Sequence, residues 1–221
     1  LVALTSCVHR PPMAFRQLLA PCHQSPAGGA ADILWVAPDA VRDLNHLIHW
    51  CETVGPVVVE SPADSVSGSI DRVVVITWNV HVGGGDIEDV IARLKRGEFT
   101  AGMPTSDFVL LLQEAYRSGA EVPVSLPAGA RLPKPIVEQP PSGIRRDIRT
   151  IADRTRLHLF YAPAMRNAGA GRNSKEPTAM EDRGAAILST IPLTDLQVIE
   201  LPFERQRRIA IAATISGAAR G

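Results

Sequence analysis

Apolar positions are unevenly distributed along the chain, and their spacing changes from segment to segment. In residues 39–53, DAVRDLNHLIHWCET, Val41, Leu44, Leu47 and Ile48 recur at helical spacing behind Asp39 as cap, which predicts an amphipathic helix. Val57–Val59 is a short apolar run. From residue 73 the pattern becomes regular. VVVITWN and DFVLLLQE are nearly continuous apolar runs of the kind found in strands buried on both faces, and between them Ile87, Val90, Ile91 and Leu94 mark one face of a helix over 86–96. Strand, helix, strand in that order is a βαβ unit, whose right-handed crossover makes the strands parallel. A helix over 144–156, a strand LHLFYA and three further strands, GAAILST, LQVIEL and RRIAIAATI, complete the reading, with Pro192 in a connection. The polar stretches 9–31 and 163–182 and the Pro-rich segment 117–143 read as linker and loops. No internal repeat interrupts this order.

The predicted boundary lies near Ile70. Residues 1–69 are expected to form a signal-peptide remnant, a linker and a helical extension, and residues 70–221 the main domain. The expected fold class is α/β.

The parallel arrangement has a chemical consequence. Open α/β sheets bind ligands at the carboxyl ends of their strands, and Asn79 and Glu114 both stand at such ends. An amide and a carboxylate converging on one point suit a hard cation such as Mg²⁺, which takes oxygen ligands and keeps waters for a phosphate substrate. The alternative is that Asn79 starts a turn and Glu114 leaves the core for solvent.

Four segments, ITWNVHVGG, DFVLLLQEAYR, DRGAAILSTIPL and RRIAIAATI, resemble in order and spacing the endonuclease/exonuclease/phosphatase superfamily. The resemblance covers Asp71 to about Ser216. It implies two mixed β-sheets packed face to face and flanked by helices, a four-layer αββα sandwich of which this chain would hold about half. It also implies a metal-dependent phosphoester hydrolase, nuclease-like or phosphodiesterase-like, with Asn79 and Glu114 as metal-site and catalytic residues and Mg²⁺, or Mn²⁺ in its place, as cofactor. The family's second half, with a Gly-Asp-x-Asn segment and a terminal Ser-Asp-His, is not found before Gly221, so the polypeptide by itself is expected to be inactive. The implied substrate is a phosphoester: nucleic acid, a phospholipid headgroup or a small ester. The rival reading is a noncatalytic envelope-associated binding protein that keeps the fold. No obligate protein partner is evident.

Other candidates are weighed by position. Arg117, three residues after Glu114, is within reach of a substrate phosphate, with surface solvation as the alternative. His81 follows Asn79 closely and is a further substrate-binding candidate, with simple membership of the loop as the alternative. Arg207 and Arg208 open the last strand, where neighbours point to opposite faces, so one at most faces the site, and Arg208 is taken as the substrate-binding candidate. Asp182 and Arg183 either line the cleft or form a local ion pair. Gly83–Gly85 lacks the Lys-Ser/Thr of a phosphate-binding loop, so its glycines permit a tight turn, and Asp86 caps the helix that follows. No Gly-x-Ser-x-Gly elbow is present, which disfavours a serine hydrolase.

Charge and cysteines refine the picture. The formal net charge is zero, which argues against binding nucleic acid or anionic membrane through the overall field. Yet residues 1–140 carry 10 Lys/Arg against 15 Asp/Glu, and residues 141–221 carry 13 against 8. An acidic part precedes a basic one. Within 117–143 only Arg131 and Lys134 are basic beyond Arg117, which weighs against tight binding of duplex DNA. The opening Leu4-Thr5-Ser6-Cys7 fits a bacterial lipobox, which would give a lipid anchor at Cys7 and a place at the cell envelope; the six residues before Cys7 are too few for a working signal, so the match is the tail of a longer leader or a coincidence. With Cys7 lipidated, Cys22 and Cys51 are left either as a disulfide in an oxidising compartment or as free thiols. His46 and His49 stand one helical turn apart near Cys51, as a metal pair would or as ordinary surface residues do.

Overall fold

The structure is a computed structural model and describes residues 14–18, 22, 33–63, 70–123, 145–166, 180–203 and 207–216. Cys7, Arg131 and Lys134 lie outside these residues. In chain order the elements are β1 (Phe15–Leu18), β2 (Leu34–Pro38), α1 (Val41–Cys51), β3 (Val58–Glu60), β4 (Val74–Asn79), α2 (Ile87–Lys95), β5 (Phe108–Ser118), α3 (Ile148–Thr155), β6 (His158–Arg166), β7 (Glu181–Ser189), β8 (Leu193–Glu200) and β9 (Ile209–Ile215). They form a mixed α/β fold with two mixed sheets, one ordered β1-β2-β8-β9 and the other β3-β6-β7-β5-β4. The predicted βαβ unit is present, with β4 and β5 parallel in a register that sets Asn79 against Gln113.

Two apolar clusters explain the stacking. On one face of the five-stranded sheet, Phe108, Leu110, Leu112, Leu159 and Leu188 meet Ile87, Ile91 and Leu94 of α2 and Ile148 and Ile151 of α3. On the other face, Val109, Phe160, Ala162 and Ile187 meet Trp35, Ala37, Leu196 and Val198 of the four-stranded sheet. Alternate residues of β5, β6 and β7 therefore serve opposite faces, which is why these strands read as unbroken apolar runs. β4 departs from that expectation. It is the edge strand, and Val75, Thr77 and Asn79 are exposed, Val75 by 57%.

The segment before Ile70 is built into both sheets. β2 pairs in parallel with β8, β3 pairs antiparallel with β6, and β1 lies where a linker was expected. Pairing thus crosses the boundary placed near Ile70, because LWVAP pairs with β8 as well as with β1, and VVE pairs with β6. Cys22 and Cys51 form a disulfide, which removes Cys51 as a thiolate ligand beside His46 and His49. His46 instead stacks on Phe203, ring centroids 4.2 Å apart. In α1 the cap position falls to Ala40 without a side-chain hydrogen bond; Asp39 pairs with Arg16 at 3.4 Å, and Ile48, predicted on the buried face, is exposed. α2 matches its prediction: the Asp86 carboxylate accepts from the Asp89 N–H. Among the described residues no helix is long and apolar enough to cross a membrane.

Candidate active site

At the carboxyl end of β4 the Asn79 side chain is exposed, and its Oδ1 accepts the His81 N–H at 2.9 Å. This bond holds the start of a tight turn in which His81 and Val82 have φ of 57° and 55° and Gly83 has φ of 74°. Glycine is required at 83, since a Cβ there would lie 2.6 Å from the Cβ of Tyr116. The glycines thus shape a turn, as the sequence predicts. The Gly83 carbonyl accepts the Arg146 N–H, and the Arg146 guanidinium pairs with Asp86, tying the turn to the segment that leads into α3. That pairing holds the Asp86 carboxyl below its ordinary range, through the Arg146 hydrogen bond first and the Asp89 N–H second.

On β5 the prediction that Glu114 ends a strand does not hold. The strand runs on to Ser118, and Glu114 sits inside it, in a bulge. Leu112 faces Ala186 and Ala115 faces Gly184 on β7, so Gln113 and Glu114 together oppose the single residue Ala185. Glu114 carries the excess twist with φ of 56°, a conformation uncommon for a residue with a Cβ. Its side chain is half-buried, and among the described residues it makes no hydrogen bond and no ion pair. Arg183, half-buried opposite Tyr116, is the charge that interacts with it: burial lowers the Arg183 pKa and the Glu114 carboxylate opposes that shift. Arg183 also directs Nη2 at the Met165 sulfur, 3.1 Å away. Beyond it, Tyr116 donates its hydroxyl to Glu181 at 2.9 Å and Arg145 pairs with the same carboxylate at 3.0 Å. Burial pushes the Tyr116 hydroxyl up to about 12, so it stays a neutral donor.

The register sets Asn79 opposite Gln113, next to Glu114 in the bulge, with Arg183 and the Arg145–Glu181 pair following further along β5 and β7. Arg117 is not among them. Its side chain is 1% exposed and points into the interior, where Nε and Nη2 reach the two oxygens of Asp182 at 2.9 and 2.5 Å and Nη1 donates to the Pro56 carbonyl. Asp182, fully buried, also accepts the Tyr161 hydroxyl at 2.7 Å and the Gly55 N–H at 2.8 Å. All three guanidinium nitrogens of Arg117 are engaged by protein acceptors, and the side chain is buried away from the sheet edge. The local ion pair expected at Asp182 and Arg183 is replaced by a distant one, Asp182 with Arg117, while Arg183 is half-buried on the opposite face of β7. Of the last-strand arginines, Arg207 turns inward onto Glu200 at 2.5 Å and the Pro163 carbonyl at 2.9 Å, and Arg208 is exposed on the other sheet. His81 is exposed and is joined to Asn79 through its backbone.

Among the described residues no group of three His, Cys, Asp or Glu side chains could enclose a metal. The donors at Asn79 and Glu114 fit an open oxygen site for a hard cation, since Mg²⁺ is commonly held by one or two protein oxygens with water and substrate completing its shell. A carboxylate without a hydrogen-bond or ion-pair partner among the described residues, held on strained backbone beside an arginine, is the feature that fits. Family models, curated proteins and solved structures were compared with the chain, and none matches.

Proposed function

We propose that the intact protein is a Mg²⁺-dependent phosphoester hydrolase and that its two sheets belong to the four-layer αββα sandwich of the endonuclease/exonuclease/phosphatase superfamily, which the chain resembles. The observation that carries this reading is the bulge that turns the Glu114 carboxylate, unpartnered among the described residues, to the same sheet edge as Asn79. A bulge of this kind re-aims one side chain at the expense of regular pairing, and such strain is commonest where chemistry needs it.

In this reading Glu114 is the anionic metal ligand and Asn79 supplies an amide oxygen beside it. A bound Mg²⁺ would neutralise charge on the phosphoryl oxygens and on the leaving group. Arg183 takes a phosphoryl oxygen from the opposite side: the Glu114 charge favours its guanidinium against the cost of burial, and its fork suits phosphate geometry. Tyr116, Glu181 and Arg145 fix the wall behind it. The Cys22–Cys51 disulfide supports an oxidising compartment, in keeping with the lipobox reading of Cys7 and an envelope location.

The test is hydrolysis of bis-p-nitrophenyl phosphate by the full-length protein with Mg²⁺. Glu114→Ala should lower the rate by roughly 10²-fold or more, the usual scale for losing a group that stabilises developing charge. An unchanged rate would sink the assignment of Glu114, and a full-length protein without Mg²⁺-dependent turnover would leave the noncatalytic binding reading in the lead.

A further inference from the structure

The start of β6 carries a histidine that the candidate site does not use. His158 is 3% exposed and stands opposite Ser189 of β7. Its Nδ1 lies 2.9 Å from the Ser61 hydroxyl, and its Nε2 is buried with no hydrogen-bond partner among the described residues. A neutral imidazole has one N–H donor, whereas an imidazolium has two. Ser61 can accept from one of them. The other would be a charged donor left buried and unpaired, which costs far more than a neutral one.

The charges around it do not relieve that cost. Lys95 from α2 and Arg156 after α3 line the same cleft as His158, and no carboxylate is among the described residues that line it. Of the nearest acids, Asp107 accepts the Ser106 hydroxyl at 2.9 Å, and Glu60 pairs with Arg149 at 2.5 Å. Burial lowers the His158 pKa from its ordinary 6.5, and no neighbouring charge opposes the shift. What covers the ring is thin. Ser61 and Ala63 are exposed, Pro62 is half-buried, and they follow β3, an edge strand of three residues. The chain before them is fixed: Val58 is buried in the core, the Gly55 N–H is bound to Asp182, and the Pro56 carbonyl is bound to Arg117. From Glu60 onward the described contacts are fewer. They are the pairing with Leu159, the partly exposed Arg149 ion pair, which water screens, and Ser61 on His158.

We propose that residues 61–63 form a strap closed over a neutral His158 and opened by acid: proton uptake on the ring breaks the Ser61 junction, lifts the strap from Glu60 onward and lets water reach the imidazolium. Because burial favours the neutral ring, the closed state has its full stability above pH 6.5 and loses it as pH falls through the lower value of the folded protein. Val58, Gly55 and Pro56 keep their partners, so the opening is local and the sheet persists. Nothing in this proposal depends on Glu114 or on hydrolysis.

The experiment follows the full chain by NMR from about pH 8 to about pH 5, the range in which histidine changes charge. The His158 ring should titrate below the ordinary histidine value. Nuclear Overhauser contacts from its protons to Ser61 should be lost across the same midpoint, while those to Ser189 persist. Ser61→Ala supplies a second readout, and because Ser61 is exposed the fold should survive the change. Without the Ser61 bond the closed neutral state is weaker, so the ring midpoint should move up toward the ordinary value. A charged ring that stayed covered, with Ser61 as its acceptor, would instead send the midpoint down in this variant. A midpoint that falls or does not move, ring contacts to Ser61 that survive in acid, or loss of the Ser189 contacts at the same midpoint would each overturn the strap.

Discussion

Two carboxylates on neighbouring strands of one sheet are treated in opposite ways. Asp182 on β7 is fully buried and takes hydrogen bonds from Arg117, Tyr161 and the Gly55 N–H. Glu114 on β5 is half-buried and has no such partner among the described residues, and its backbone is held in the left-handed region by a bulge. Regular pairing and full satisfaction mark a group whose work is holding the fold. A strained backbone and an open carboxylate mark a group whose bonds are kept for something else. The same contrast separates Arg117, locked onto Asp182, from Arg183, which faces the sheet edge with Glu114.

The contrast breaks if the two acids respond alike to removal. Asp182→Ala leaves the Arg117 guanidinium buried without its counter-charge, which should cost about 3–5 kcal/mol in urea-induced unfolding. A loss under 1 kcal/mol would show that the cluster relaxes and that Asp182 is not a structural group. Replacing both Cys22 and Cys51 by Ser opens a link across 29 positions on the same fixed side of the molecule, and unfolding free energy should drop by about 3–4 kcal/mol on the loop-entropy scale. Glu114→Gly is expected to do the reverse, raising stability by about 1 kcal/mol because glycine adopts the bulge conformation without strain, while abolishing Mg²⁺ binding. Equilibrium unfolding and a Mg²⁺ titration on the same variant check both halves.

The smallest effect is expected beside the Asn79 turn. Asp86→Ala removes the α2 cap and should cost about 0.5–1 kcal/mol. The Asp86 pKa is lowered in the folded state by Arg146, so its contribution is present above the unfolded value of 3.8 and is lost as pH falls through the lower folded value. Acid unfolding of the variant should accordingly begin from a less stable state and show a shallower loss across that window, because the carboxylate no longer titrates there.

Much of this arrangement is legible in the chain. The period-3.6 pattern of Ile87, Ile91 and Leu94 and the cap at Asp86 locate α2, and the apolar runs before Asn79 and Gln113 locate a parallel pair. What local pattern could not reveal depends on partners far away in sequence. LWVAP becomes a strand because Gln197–Ile199 lies beside it, and β4 loses the cover predicted for it because it stands at an edge. Arg117 and Asp182 are 65 positions apart, so an arginine read as reaching substrate or solvent and an acid read as lining a cleft or pairing locally become one buried pair. The bulge is invisible for the same reason: it is a mismatch of count between β5 and β7, and LLLQEAYR contains no glycine to announce it. For Arg183 the available signal was strand alternation, which sends it to the face opposite Asp182 once either one is placed.

The central claim is that Glu114, and not Asp182, is the carboxylate reserved for a metal. The direct measurement is Mn²⁺-induced broadening of amide resonances in the folded full chain, compared between the native sequence and Glu114→Gln. Broadening that starts at Asn79–Val80 and Gln113–Ala115, saturates, is displaced by Mg²⁺ and disappears in Glu114→Gln is the predicted result. Broadening that is unchanged by the substitution, or that centres away from these residues, would contradict the account.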